Sequence, residues 1–182
     1  QGLNAFVEAA SRLQAVSEIQ LVFVGDGVKR PALEELVGSR GLANISSLPY
    51  QPKENLKDSF ATADVFVVSL MPGLAGYIVP SKLYGILAAG RPYVAAVEEE
   101  CEVAAITKKY DCGILAEPGD PKDLAEKILS LYHDRTLTRR LGENARQAAL
   151  QFDRPVGVRA YYELFCQLSG VRPRSGERRL PA

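Results

Sequence analysis

A single histidine, three scattered cysteines and a formal charge of zero narrow the sequence before any motif is considered. His133 has no second His, no Cys and no acidic partner at ligand spacing, so a metal site has no support. Its place at the end of a helical pattern reads as a surface cation favoured by the helix dipole rather than as a general base. Cys101, Cys112 and Cys166 are odd in number and far apart, which fits neither a disulfide framework nor a zinc site. They read as reduced thiols of a cytosolic protein, core or surface residues rather than nucleophiles. The 22 basic and 22 acidic residues cancel, leaving no global field to draw the chain to nucleic acid. No apolar run approaches the ~20 residues of a membrane span, and nothing at the start reads as a signal peptide. Internal repeats and low-complexity tracts are also missing.

What is present is a chain of 182 residues, 47% of them hydrophobic, enough for one sizeable core and one domain. It is organised around the stretch from Ala63 to Val97. The run Val65-Phe66-Val67-Val68 has the length and β-branched content of a strand buried on both faces. In the loop that follows, Gly73 and Gly76 permit backbone conformations closed to other residues and close approach of a ligand. Pro80-Ser81-Lys82 reads as a helix start, with Ser81 as N-cap and Leu83, Ile86 and Leu87 as its apolar stripe. Gly90 ends that helix, and Tyr93 to Val97 is a second apolar strand. The loop then lies at the carboxyl end of the first strand, where a helix start bearing Lys82 suits an anion. Equally, these glycines serve any turn, and Ser81 and Lys82 serve any solvated helix end.

Around this unit, helical spacing runs from Gly2 to Leu13, and Ile19 to Val24 reads as a strand followed by Gly25-Asp26-Gly27. Two glycines bring backbone close to a ligand and Lys29 or Arg30 reaches a phosphate, although Asp26-Gly27 alone suits an ordinary turn. Position 30 is Arg, so the G-x-G-x-x-G fingerprint of NAD folds is not completed. Asn44 to Leu48 is a short strand, residues 53 to 62 a helix, and Glu98 to Glu102 an acidic loop with four carboxylates in five residues. Cys112-Gly113-Ile114-Leu115 and Pro118-Gly119 follow, then Asp120 as N-cap with Pro121 at the first helical position. Further amphipathic helices carry Leu124, Ile128 and Leu131, then Leu137, Leu141, Ala145 and Ala149, then Tyr161, Leu164 and Phe165. Strand and helix thus alternate as in an α/β, Rossmann-like parallel sheet with helices on both faces. On such a sheet ligands bind at the carboxyl ends of the strands, where loops 25–30, 49–52 and 71–82 all fall. The domain is expected to span residues 1–168. Residues 169–182 carry Arg172, Arg174, Arg178 and Arg179 against Glu177 and read as a flexible basic tail, able to touch an anionic membrane surface.

The segment PSKLYGILAAGRPYVAA resembles the donor-binding segment of the retaining GT-B glycosyltransferases of family 4, closest to a subgroup of bacterial exopolysaccharide, colanic-acid and O-antigen assembly. VGDG with Arg30 and Leu33-Glu34, and Cys112-Gly113 through Pro118-Gly119-Asp120, extend the likeness over roughly residues 1 to 168. The resemblance implies one half of a GT-B fold, its first strand and an N-terminal acceptor domain lying ahead of Gln1, which starts the chain inside a helical pattern. It implies a cytoplasmic donor domain for a UDP- or GDP-linked sugar, transferred with retention to a lipid-linked saccharide, with no metal or other cofactor and no nucleic acid. Arg30 and Lys82 would be the catalytic cations that stabilise the leaving diphosphate. Gly25, Gly27, Tyr50, Gly76, Tyr77, Ser81, Gly85 and Glu102 would bind the donor, Tyr50 beside the base unless it is a packing aromatic. Many members have Lys at Gln1, and most carry two Glu residues where this chain has Tyr77 and Gly85. The subgroup shares glycine at the second of these, so the ribose would use Glu102 or backbone groups. A sugar-nucleotide 2-epimerase and a non-catalytic nucleotide-binding module are the alternatives.

Overall fold

A computed structural model describes residues 3–171. Gln1, Gly2 and the tail from Arg172 lie outside the described residues, and with them the expectations placed on Gln1 and on most of the basic tail. Helix α1 (Leu3–Leu13) buries Val7, Ala9, Ala10 and Leu13. Strand β1 (Leu21–Val24) starts later than its apolar run, because Ile19 is held in a turn by its N–H donating to the Val16 carbonyl. Helix α2 (Arg30–Arg40) leads to β2 (Ile45–Leu48), and a 3₁₀ turn at Lys53–Asn55 runs into α3 (Leu56–Thr62). The central unit is β3 (Phe66–Ser69), α4 (Lys82–Ala88) and β4 (Tyr93–Ala96). After it come α5 (Glu102–Tyr110), β5 (Gly113–Ala116), α6 (Pro121–His133), α7 (Arg135–Ala149) and α8 (Arg154–Ser169).

All strand pairs are parallel, in two groups: β1 with β2, and β3–β4–β5 with β4 in the middle. Among the described residues no ladder joins β1 to β3. The one sheet expected from the sequence is thus seen as two paired groups. Strand β4 is buried along its whole length, as its uninterrupted apolar run requires. Its side chains alternate between faces: Tyr93, Ala95 and Val97 pack under α4, α5 and α7, and Val94 and Ala96 under α1 and α6. Helices therefore cover both faces of this group. All three cysteines are free and buried. The Tyr93 hydroxyl shares hydrogen bonds with Thr107 Oγ1 (2.8 Å) and Cys112 Sγ (3.3 Å), and burial pushes the phenol well above its ordinary value.

Two close approaches lock α4 in place. A side chain at Gly142 on α7 would meet the Gly90 carbonyl at 2.7 Å, so glycine there lets α7 lie against the end of α4. Arg146, one turn on, donates to the Ala88 carbonyl at 2.9 Å, satisfying one of the acceptors a helix end leaves open. At the other end of the chain, α8 buries only Cys166 and leaves Tyr161, Phe165 and Leu168 exposed.

Candidate functional site

The loop between β3 and α4 leaves the carboxyl edge of the sheet through two glycines in the left-handed region, Gly73 (φ 81°) and Gly76 (φ 78°). Its return into α4 differs in detail from the expected cap. Ser81 already has helical dihedrals (φ −58°, ψ −27°) and makes no side-chain cap bond, whereas a capping side chain needs extended backbone to reach the first free N–H groups. Ser81 instead lines a cavity of about 340 Å³ with Lys82, Ser69, Leu70, Met71, Leu74, Ile78 and Pro80. That volume is at the small end of ligand sites, which run from about 300 to 1,000 Å³. A second cavity, about 60 Å³, shares Ser69, Leu70 and Met71 and reaches Ala96, Gly119 and Asp120. Both therefore lie at the carboxyl end of β3, and the smaller also reaches the end of β4 and the loop after β5.

Among the described residues Lys82 is the one cation on these walls. No carboxylate lies within ion-pair distance of it among the described residues. More than a third of its surface meets solvent, yet burial among its neighbours holds the ammonium below its ordinary value. A partly desolvated, unpaired cation of this kind gains from an incoming anion.

Arg30 is in a different state. Its Nη1 pairs with Asp26 (2.6 Å) and its Nε with Glu34 (2.8 Å), and these two carboxylates, Glu34 first, raise the guanidinium further. Arg30 thus meets any phosphate with its charge already shared. The spacing of Asp26, Arg30 and Glu34 at four-residue intervals is the signal that reveals this pairing in the sequence. Asp26, read from sequence as a turn residue, also accepts the Tyr50 backbone N–H at 2.9 Å. That bond, then Arg30, holds its carboxyl below the ordinary range. Arg30 and Tyr50 are brought together through Asp26 beside Gly25 (φ 134°) and Gly27, while Ser81 and Lys82 meet at the cavity. Among the described residues no hydrogen bond or ion pair joins one group to the other.

Of the expected donor contacts from the glycine loop onward, Gly76, Tyr77, Gly85 and Glu102 line neither cavity. Tyr77 is 84% exposed. Gly85 faces Phe60: a Cβ built there would lie 2.9 Å from Cε1 of that ring. The glycine makes room for an aromatic that stacks on Phe66 at 5.2 Å, leaving no space for a longer side chain at that position. Glu102 is exposed at the first turn of α5, where Cys101, not Glu102, supplies the cap by accepting from the Ala104 N–H. The carboxylate that does meet the glycine loop is Glu98, whose two oxygens accept the Gly73 N–H at 3.1 and 3.0 Å. Its position, first off the buried end of β4, separates it from Glu99, which is drawn out to Lys108 at 2.7 Å.

Comparison with known proteins follows the geometry. The family described as glycosyl transferases group 1 matches residues 1–148. An exopolysaccharide phosphotransferase of Streptomyces coelicolor is 31% identical over 84% of this chain and 16% of its own length. The N,N'-diacetylbacillosaminyl-diphospho-undecaprenol alpha-1,3-N-acetylgalactosaminyltransferase of Campylobacter jejuni is 29% identical over 91% of this chain and 41% of its own. The structure of HepE from Anabaena in complex with UDP-glucose superposes with a TM-score of 0.69 over 91% of this chain and 45% of that one, at 20% identity. The chain spans less than half the length of these proteins. With relatives named for exopolysaccharide and colanic-acid biosynthesis, an α/β fold shared with GT-B enzymes and a family match across most of its length, the chain belongs to the group 1 glycosyl transferases.

Proposed function

We propose that this chain is the donor-binding part of a retaining glycosyltransferase of cell-surface polysaccharide assembly, holding a UDP- or GDP-linked sugar at the carboxyl edge of β3. The carrying observation is Lys82, without an ion-pair partner among the described residues and partly desolvated in the wall of the 340 Å³ cavity that Ser81 also lines. A cation fixed in that place stabilises the negative charge that grows on a departing diphosphate, an effect strongest where water is excluded. Arg30, shared between Asp26 and Glu34, would add a second, weaker electrostatic contribution from the β1 loop. The acceptor, a lipid-linked saccharide, would be held by parts of the protein outside this chain, at the cytoplasmic face of a membrane. The HepE complex and the name of the Campylobacter relative support the nucleotide and the lipid-linked class.

Calorimetric titration of the chain with UDP, GDP and ADP tests the reading. Binding of one diphosphate, weakened by Lys82→Ala, is the expected result; wild-type affinity in that variant removes Lys82 from the site. The packing of Phe60 against Gly85 favours a second reading, a nucleotide-binding module without turnover. Sugar transfer by a longer protein containing this chain would exclude it.

A further inference from the structure

The segment from Met71 to Val79 has no helix or strand of its own. Its internal turns are closed by Leu74 N–H to Met71 and Tyr77 N–H to Leu74. Among the described residues, one hydrogen-bonded contact ties it to another element: the Gly73 N–H to the Glu98 carboxylate, at 3.0 and 3.1 Å to its two oxygens. Ala75 adds apolar packing on the core. The anchor point is rigid, because Glu98 follows Val97 at the end of a strand buried on both sides. The tethered segment supplies part of the cavity wall: Met71, Leu74 and Ile78 line it together with Ser81 and Lys82. A backbone N–H held by a carboxylate makes a bond roughly twice as strong as one between neutral partners. The same bond takes up the loop N–H that an anion would otherwise reach, leaving Lys82 as the point of attachment.

We propose that Glu98 is a positioning residue that sets the width of the donor cavity by holding Gly73, a role resting on the donor-site reading above. It acts through the loop and not on the reacting atoms. Glu98→Ala frees the segment, so an occupant must order it on binding. Glu98→Gln keeps an acceptor oxygen at the same reach but loses the charge.

The test uses the 182-residue chain, its Glu98→Ala and Glu98→Gln variants, titration with UDP, GDP and ADP, and the amide proton resonance of Gly73. In Glu98→Ala the Gly73 resonance is expected to move and affinity for the bound diphosphate to fall about tenfold, while Glu98→Gln stays within about threefold of wild type. An unmoved Gly73 resonance in Glu98→Ala overturns the tether. A moved resonance with wild-type affinity overturns the positioning role and leaves the tether a feature of the loop alone. Equal losses in both variants, with equally lowered thermal midpoints, overturn it in favour of plain structural damage. A wild-type chain that binds none of the three diphosphates overturns instead the donor-site reading on which the role rests, and the Gly73 resonance still reads the tether.

Discussion

Placing a carboxylate at Gly85 is the sharpest perturbation this packing allows. A Cβ at that position would lie 2.9 Å from Cε1 and 3.0 Å from Cζ of Phe60, inside any normal carbon–carbon contact. The ring cannot withdraw freely, because it stacks on Phe66 at 5.2 Å with an interplanar angle of 29°. Overpacking of this kind costs about 1–3 kcal/mol, while replacing glycine inside a helix returns roughly 0.5–1 kcal/mol. Gly85→Glu should therefore lose about 1–2 kcal/mol net, or roughly 2–8 °C in thermal midpoint for a chain of this size. Phe60→Ala alone should cost about 2 kcal/mol, below the value for a fully buried ring because Phe60 is only partly covered. In the double variant the collision is gone, so the two losses should fail to add by about 1–2 kcal/mol, with the double variant more stable than the sum predicts. Urea denaturation of the four proteins, at constant slope, measures this coupling directly. Additivity within about 0.5 kcal/mol would refute the claim that Phe60 occupies the space of that carboxylate.

Lys82→Met should raise the thermal midpoint at neutral pH, because burial penalises the ammonium, and should weaken diphosphate binding about tenfold or more. Since the Lys82 ammonium is lowered in the folded chain, the unfolded chain holds more protons just below 10.5 and wild-type stability should rise through that window. The rise should shrink in Lys82→Met, as read by denaturation at several alkaline pH values. Asp26 works with the opposite charge: its carboxyl is lowered in the folded chain, so its contribution is whole above the ordinary 3.8 and is lost as pH falls through its folded value. The Tyr50 amide resonance should follow that transition and be insensitive to acid in Asp26→Asn. Gly142→Ala should cost about 1–3 kcal/mol, because its new carbon meets the Gly90 carbonyl at 2.7 Å and backbone cannot swing aside; thermal melting checks it.

How much of this was legible in the chain depends on the range over which each feature is decided. Strand β4 was legible because burial on both faces writes itself as an unbroken apolar run, and β3 shows the same kind of run although only Val68 of its four residues is fully buried. The cap on α6 was equally plain: Asp120 accepts from the N–H groups of Lys122 and Asp123, two and three residues away. Ser81 failed as a cap although its residue type and position were right, since the loop delivers it with helical dihedrals, and the sequence holds no record of that entry angle. Gly85 and Glu98 lie further out of reach. What each meets, Phe60 and Gly73, is 25 residues upstream and is set by how β3, β4 and α3 stack. A sequence shows a glycine at position 85 and an acidic loop after Val97. Only the packed structure shows that the space beside that glycine is filled by Phe60 from α3, and that one member of the acidic run turns inward to the glycine loop while Glu99 turns out to Lys108. A site whose wall is held by such a contact can change its shape by one substitution without any change in the motif that announces it.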